Sequence, residues 1–319
     1  MPYAYSCERI LATVDWAHAE LREQKKASGY AMDAMLKSLQ IGTSRAGKFA
    51  RYLRGENTPS EYLLREMSPN YGSEAIERWH HPLYDVLQRG PAGLVYDPEP
   101  QWLFDIERRL DVRLTRHWSA MVIESVPITP ARALTLAVYA NSYALAALLT
   151  WALSSQFFDQ TEAPGSDAHL RIGQRAFQCL ILSMASGEFP QTGPVLTARI
   201  RQRVLDQLQW KDYRLDTASV DVPAAVIVGR RWLARTRECT TPGKQRSALR
   251  ALLNRGNTEE LAAITPKIVP AAQAAEAHRQ HPIRLAFGQT PSGKANLVFG
   301  YGARASRQLR VELEDYIQA

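Results

Sequence analysis

The residues of this chain with the clearest chemical capacity are cations spaced along helix faces. In SRAGKFARYLRG, Arg45, Lys48, Arg51 and Arg54 recur every third residue, and Gly55 follows. That spacing sets four positive charges in a row drifting slowly around one side of a helix. A second set lies in GRRWLARTRECTTPGKQRSALRALLNRG, residues 229–256. It holds Arg230, Arg231, Arg235, Arg237, Lys244, Arg246, Arg250 and Arg255 against a single acid, Glu238. Cations presented together on a rigid element can neutralise phosphates, so both segments are candidate nucleic-acid contacts. The plainer account is a cationic face in water, which composition alone favours for 229–256.

No other segment carries a comparable signature. GQTPSGKA, residues 288–295, matches a phosphate loop until Ala295 replaces the hydroxyl that would hold magnesium. A hairpin turn is the better account, because NLVFGYG reads as a strand where the loop needs a helix. Glu276, His278 and His281 have metal-ligand side chains, but Pro282 ends their helix and no distant third ligand is marked. His80 and His81 point apart as neighbours, and Pro82 marks a break. Asp97, Glu99, Asp105 and Glu107 supply carboxylates without a partner that spacing alone can assign. Neither a catalytic motif nor a cofactor or metal motif is found. An enzyme site assembled only in three dimensions is the least favoured expectation.

The composition bounds what must position these groups. With 45% apolar residues, 7 Trp, 13 Tyr and 8 Phe in 319 residues, the chain can bury a substantial core. Cys7, Cys179 and Cys239 are too few and too scattered for a disulfide framework or zinc knuckle, which points to a reducing, cytoplasmic compartment. The first twenty residues lack the apolar run of a signal peptide. Residues 133–153 carry no charge over 21 positions, but Tyr, Asn, Ser and Thr interrupt them. Their alanine content suits a buried central helix rather than a membrane span. The net charge of +7 is concentrated late: residues 199–319 hold 20 Lys and Arg against 11 Asp and Glu. A localised basic excess favours anionic partners.

Caps and three- and four-residue apolar spacing predict helices over most of the chain. They fall at about 8–26, 31–41, 99–124, 133–153, 167–186, 194–210, 223–238, 243–255 and 304–317. Thr58-Pro59-Ser60-Glu61 reads as a capping box opening a helix through Met67, and Asn257-x-x-Glu260 repeats the box. Thr129-Pro130 opens the apolar helix in the same way. Residues 88–100, rich in Pro and Gly, make the best domain boundary, and 283–288 with 295–302 read as a late hairpin. The expected fold is all-α. A small N-terminal helical module, 1–90, precedes a multi-helix body, 91–319, with a short C-terminal β-hairpin.

Within the first cationic segment, Phe49, Tyr52 and Leu53 share one face, and Gly55 is placed to end the helix in a left-handed conformation. Tyr52-Leu53-Arg54-Gly55-Glu56-Asn57-Thr58-Pro59, followed by Leu63, Leu64 and Met67, resembles the end of the recognition helix in Cro/C1-type (Xre-like) repressors. Phe49 matches the apolar residue three before the aromatic, and Gly42 with Thr43-Ser44 resembles the preceding turn. The likeness covers about 35 residues. Gly42 stands one residue too far from Tyr52, Thr43 takes a place normally apolar, and the expected Leu-Ala pair is absent. The resemblance implies a helix-turn-helix that contacts duplex DNA, in a transcriptional regulator or a mobile-element accessory protein. On that reading Arg45, Lys48 and Arg51 point outward, while Phe49, Tyr52 and Leu53 are buried. The competing expectation is a helical adaptor for protein partners, with its cationic faces merely solvated.

Overall fold

The computed structural model describes residues 6–41, 47–71, 75–95, 101–110, 112–119, 122–125, 129–153, 168–273, 287–289 and 295–297. The described residues are mostly helical, as expected, with fourteen helices and a small three-stranded antiparallel sheet late in the chain. The chain divides into two compact units. The first comprises residues 1–88, 191–196 and 282–319; the second comprises 89–190 and 197–281.

In the first unit, α1 (Cys7–Glu23) starts where the Ser6 hydroxyl accepts from the Arg9 amide, and α2 (Gly29–Ser38) starts on Ser28 in the same way. Short α3 (Lys48–Leu53) packs on both. Next come α4 (Glu61–Tyr71), α5 (Ala75–Trp79) and α6 (Pro82–Val95), whose residues from Arg89 onward belong to the second unit. The α4 cap is two residues later than the sequence motif: the Ser60 hydroxyl, not Thr58, accepts from the Leu63 amide at 3.3 Å. Pro59 is buried before the helix begins, so the proline serves packing rather than the first turn. Beyond Met67, α4 runs on through Pro69, which at its end forfeits only one intrahelical bond. Likewise α6 continues through Gly90 and Pro91 of the expected linker. Its N-terminus is held by His81, whose Nδ1 accepts from the Leu83 amide at 3.1 Å. Pro82 therefore opens a helix rather than breaking one.

The second unit is built around α9 (Ser142–Leu153) and α10 (Ala168–Ser186). Every α9 residue except Tyr143 is buried. Helix α10 packs against α9, α8 (Pro130–Ala137) and α12 (Val222–Arg237). The apolar segment 133–153 is thus buried, but as two helices. Ala140 takes a positive φ of 52°, and the Asn141 side chain accepts from the Ala144 amide at 2.9 Å to start α9. No helix among the described residues is long and apolar enough to cross a membrane.

Other boundaries also differ from expectation. The helix expected over 99–124 is α7 (Gln101–Leu110), followed by strands β1 (Thr115–Ser119) and β2 (Val122–Ser125), paired antiparallel. The Glu107 carboxylate accepts from the Leu114 amide at 3.1 Å just past the helix, and the β-branched Thr115, Val122 and Ile123 suit the pleat that follows. Helix α11 (Gly193–Arg203) stops short of 210, giving way to a 3-10 turn and to β3 (Gln209–Trp210). With β4 (Tyr213–Asp216) and β5 (Lys267–Pro270), β3 forms the sheet in the order β3-β4-β5. No alternation announced that sheet, since its strands are only two to four residues long. Between β4 and β5 lie α12, α13 (Pro242–Arg255) and α14 (Thr258–Ala263). Last come β6 (Phe287–Gln289) and β7 (Ala295–Leu297), an antiparallel pair that forms the late hairpin. The helix expected over 304–317 lies outside the described residues.

Candidate nucleic-acid interface

Helix α3 has six residues, too few to be stable alone, so its neighbours must hold it. Three rings do so. Trp16 of α1, Phe49 and Tyr52 meet with centroids 5.5 to 5.9 Å apart, tilted or edge-on, and all are at most 1% exposed. A fourth contact comes from α2. Gly47, which precedes α3, has no side chain to cap it, and the buried Asp33 Oδ1 accepts from the Phe49 amide at 3.0 Å instead. A carboxylate bonded to a first-turn amide also answers the positive end of the helix dipole. Gly29 lets the start of α2 close on α3. A Cβ there would stand 2.7 Å from the Ala50 nitrogen and 2.8 Å from its Cα.

The C-terminus of α3 closes as its sequence implies. Gly55 has a φ of +69°, its amide bonds Tyr52 O at 3.0 Å, and the Glu56 amide bonds Arg51 O at 2.9 Å. Those two bonds are the Schellman pattern. The glycine also lies against α1, where a Cβ would come within 2.6 Å of Ile10 Cγ2.

The expected cations divide unevenly. Lys48 and Arg51 are half-exposed, and no ion pair involves either among the described residues. Arg54 is exposed but engaged, its Nε 2.6 Å and its Nη2 3.2 Å from the two Glu56 oxygens. Its guanidinium is already neutralised, and the Glu56 hydrogen bond holds its pKa above the ordinary value. Leu53, expected in the core, is only half-buried. Arg45, Gly42, Thr43 and Ser44 lie outside the described residues. Tyr30 was missed: 67% exposed, its ring is 3.6 Å from the Cβ position of Gly47, beside the entry to α3. Nothing in the sequence marks it. Asp33 was also missed, although an acid between Met32 and Leu36 on a buried face is a signal for a specific partner.

The second cationic set lies in the second unit, where α12 and α13 pack together. The Thr241 hydroxyl caps α13 by accepting from the Lys244 amide at 3.3 Å, and Pro242 follows. Arg230, Arg231, Arg235, Arg237 and Lys244 are exposed, as are Arg250 and Arg255. Arg230 and Arg237, two turns apart, share one face of α12. Arg235 forks onto Glu260 at 3.0 and 3.1 Å, and Trp232 Nε1 donates to the same carboxylate at 2.8 Å. Those bonds, first Trp232 and then Arg235, lower the Glu260 pKa. They also correct the second capping box: Asn257 accepts from the Glu259 amide at 2.9 Å, while Glu260 faces α12. Arg246 is half-buried over the Tyr139 ring, 4.8 Å from its centroid.

The remaining chemical candidates resolve into structure. Glu107 and His81 serve backbone amides, and burial pushes the His81 imidazole down to about 3. Cys179 is buried, its thiol pushed up to about 12 chiefly by desolvation. Glu276, His278, His281, Asp97 and Glu99 lie outside the described residues. Among the described residues no group of three His, Cys, Asp or Glu side chains is placed to hold a metal ion. The strands flanking residues 290–294 pair antiparallel, so GQTPSGKA joins strand to strand and not strand to helix. Comparison with protein-family models, curated proteins and solved structures finds no match to this chain.

Proposed function

We propose that this protein binds duplex DNA, with α2 and α3 acting as a helix-turn-helix and Lys48 and Arg51 meeting phosphates. The role is that of a transcriptional regulator or a mobile-element accessory protein. One observation carries the reading. A helix too short to stand alone is locked by three buried rings, an Asp33 cap and a glycine contact, and it carries two half-exposed cations that no acid pairs with among the described residues. Charges fixed in this way meet phosphates without ordering a loose segment first. The exposed cations of α12 and α13 are the second candidate surface. A specific observation also favours the adaptor reading. Tyr30, Leu39 and Tyr62 are 67%, 49% and 64% exposed in the first unit, more apolar surface than phosphate contacts need.

Fluorescence anisotropy with a random-sequence duplex, titrated at several salt concentrations, tests the proposal. The parent binds, and log affinity falls linearly with log salt. Lys48→Ala with Arg51→Ala leaves the melting temperature nearly unchanged, because half-exposed charges contribute little to folding. It weakens binding and flattens the salt slope by about one unit for each phosphate no longer neutralised. An unchanged slope would exclude α3 and move attention to Arg230, Arg237 and Lys244. No binding by the parent at low salt would leave the adaptor reading.

A further inference from the structure

Helix α10 carries an arginine that no acid pairs with among the described residues. Arg175 lies half-buried in a cleft of about 380 Å³ formed by α10, the α13–α14 corner and the start of β5. Its Nη1 donates to Gln178 Oε1 at 2.8 Å and to the Leu253 carbonyl at 3.3 Å, both neutral acceptors. Its Nε and Nη2 meet no acceptor among the described residues. Those two N–H groups form the edge of the guanidinium fork that takes an oxyanion side-on.

The surroundings hold the fork in place and add charge of the same sign. Gln178 Nε2 donates to Thr265 Oγ1 at 2.6 Å, and Gln174 Nε2 donates to the Pro266 carbonyl at 2.8 Å. Among the described residues no Asp or Glu lines the cleft, and Lys267 stands at its rim, exposed. Asp216 pairs with Lys267 in the β4–β5 ladder, but its Oδ1 accepts from the Ser219 amide at 3.2 Å. Arg171, one turn before Arg175 on α10, lines a smaller cleft that shares Gln174 and Arg175. Burial, and then the like charge of Arg171, lower the Arg175 pKa. A desolvated cation flanked by another is stabilised by any anion that completes it.

We propose that this cleft binds a small ligand carrying a phosphate group, held by the Nε–Nη2 edge of Arg175 with Lys267 at its mouth. Two cations from separate elements, with no acid among the described lining residues, suit a dianion, and the volume suits a small molecule rather than a polymer backbone. The site is independent of the DNA-binding reading, because it lies away from α3 in sequence and within the second unit.

The test is the thermal stability of the full chain as inorganic phosphate is titrated through the millimolar range, with chloride adjusted to hold ionic strength. A ligand that binds only the folded state raises the melting temperature with a saturable dependence on concentration. Lys267→Gln, at an exposed position, keeps the fold and weakens the apparent phosphate affinity about tenfold, the effect of removing one charge-assisted hydrogen bond. Arg175→Gln abolishes the saturable shift. Should Arg175→Gln fail to fold, Lys267→Gln alone decides. A parent with no saturable shift, or one equal in parent and Lys267→Gln, would overturn the proposal. Neither result bears on duplex binding by Lys48 and Arg51.

Discussion

At the scale of single residues, the positions that decide the candidate interface are not the charged ones. Gly29 is the sharpest case, because two principles give opposite signs for its replacement. Alanine is better than glycine in a helix by about 1 kcal/mol. Yet a Cβ at Gly29 would meet backbone, Ala50 N at 2.7 Å and Ala50 Cα at 2.8 Å, where no rotamer change relieves the overlap. Gly29→Ala is therefore expected to lower the melting temperature, in line with the roughly 1–3 kcal/mol of overpacking. A more stable variant would mean that α2 and α3 are not held this closely.

Among the elements, α3 depends most on others, and Asp33 gives a test that separates position from charge. Removing an acid next to the proposed DNA-binding surface strengthens binding if only net charge matters. If the placement of α3 matters, Asp33→Ala weakens binding, because the Phe49 amide loses its buried acceptor at 3.0 Å. The expected stability loss is about 1 kcal/mol, typical of a lost N-cap. Anisotropy at fixed salt gives the sign directly. Helix α2 ends without glycine: Gln40 has a φ of +59°, the Gln40 amide bonds Lys37 O, and the Ile41 amide bonds Leu36 O. The closing pattern of α3 is thus repeated at α2 by a residue that sequence rules do not favour there.

For the molecule as a whole, acid stability follows from buried groups of the first unit. The ordinary imidazole value is 6.5, while burial holds His81 down at about 3 and burial followed by Arg22 holds His18 at about 4. Both rings stay neutral in the folded chain while the unfolded chain protonates. Each therefore contributes stability that is present above 6.5 and lost as the pH falls toward the folded value. Glu20 has the opposite sign. Burial holds its carboxyl up at about 7 against the pull of Arg78, so its contribution is full below 4.5 and declines as the pH rises to 7. Two histidines oppose one glutamate, and the net expectation is loss of stability from pH 6.5 downward. His81→Asn keeps an acceptor for Leu83 and removes one of the two titrations. Its denaturation midpoint should fall less steeply with acid than the parent's, by up to about 1.4 kcal/mol per pH unit. Parallel curves would show that His81 does not titrate on unfolding.

What the sequence determined by itself was whatever short-range chemistry controls. The helical class follows from three- and four-residue apolar spacing, and Thr129, Thr241 and Asn257 cap helices because each side chain reaches an amide two or three residues on. Gly55 ends α3 because only a left-handed residue closes that turn. Burial of Phe49 and Tyr52, and of the apolar run 133–153, was legible for the same reason: one face, or every face, is apolar. Tertiary structure decided what depends on distant partners. Asp33 caps a helix sixteen residues away, and Glu260 leaves its own helix for Trp232 and Arg235. The sheet β3-β4-β5 joins strands separated by three helices, and Arg175 donates to the Leu253 carbonyl only once α10 meets the α13–α14 corner. Such pairings cost loop-closure entropy that the assembled core repays, and no local window of residues carries that information.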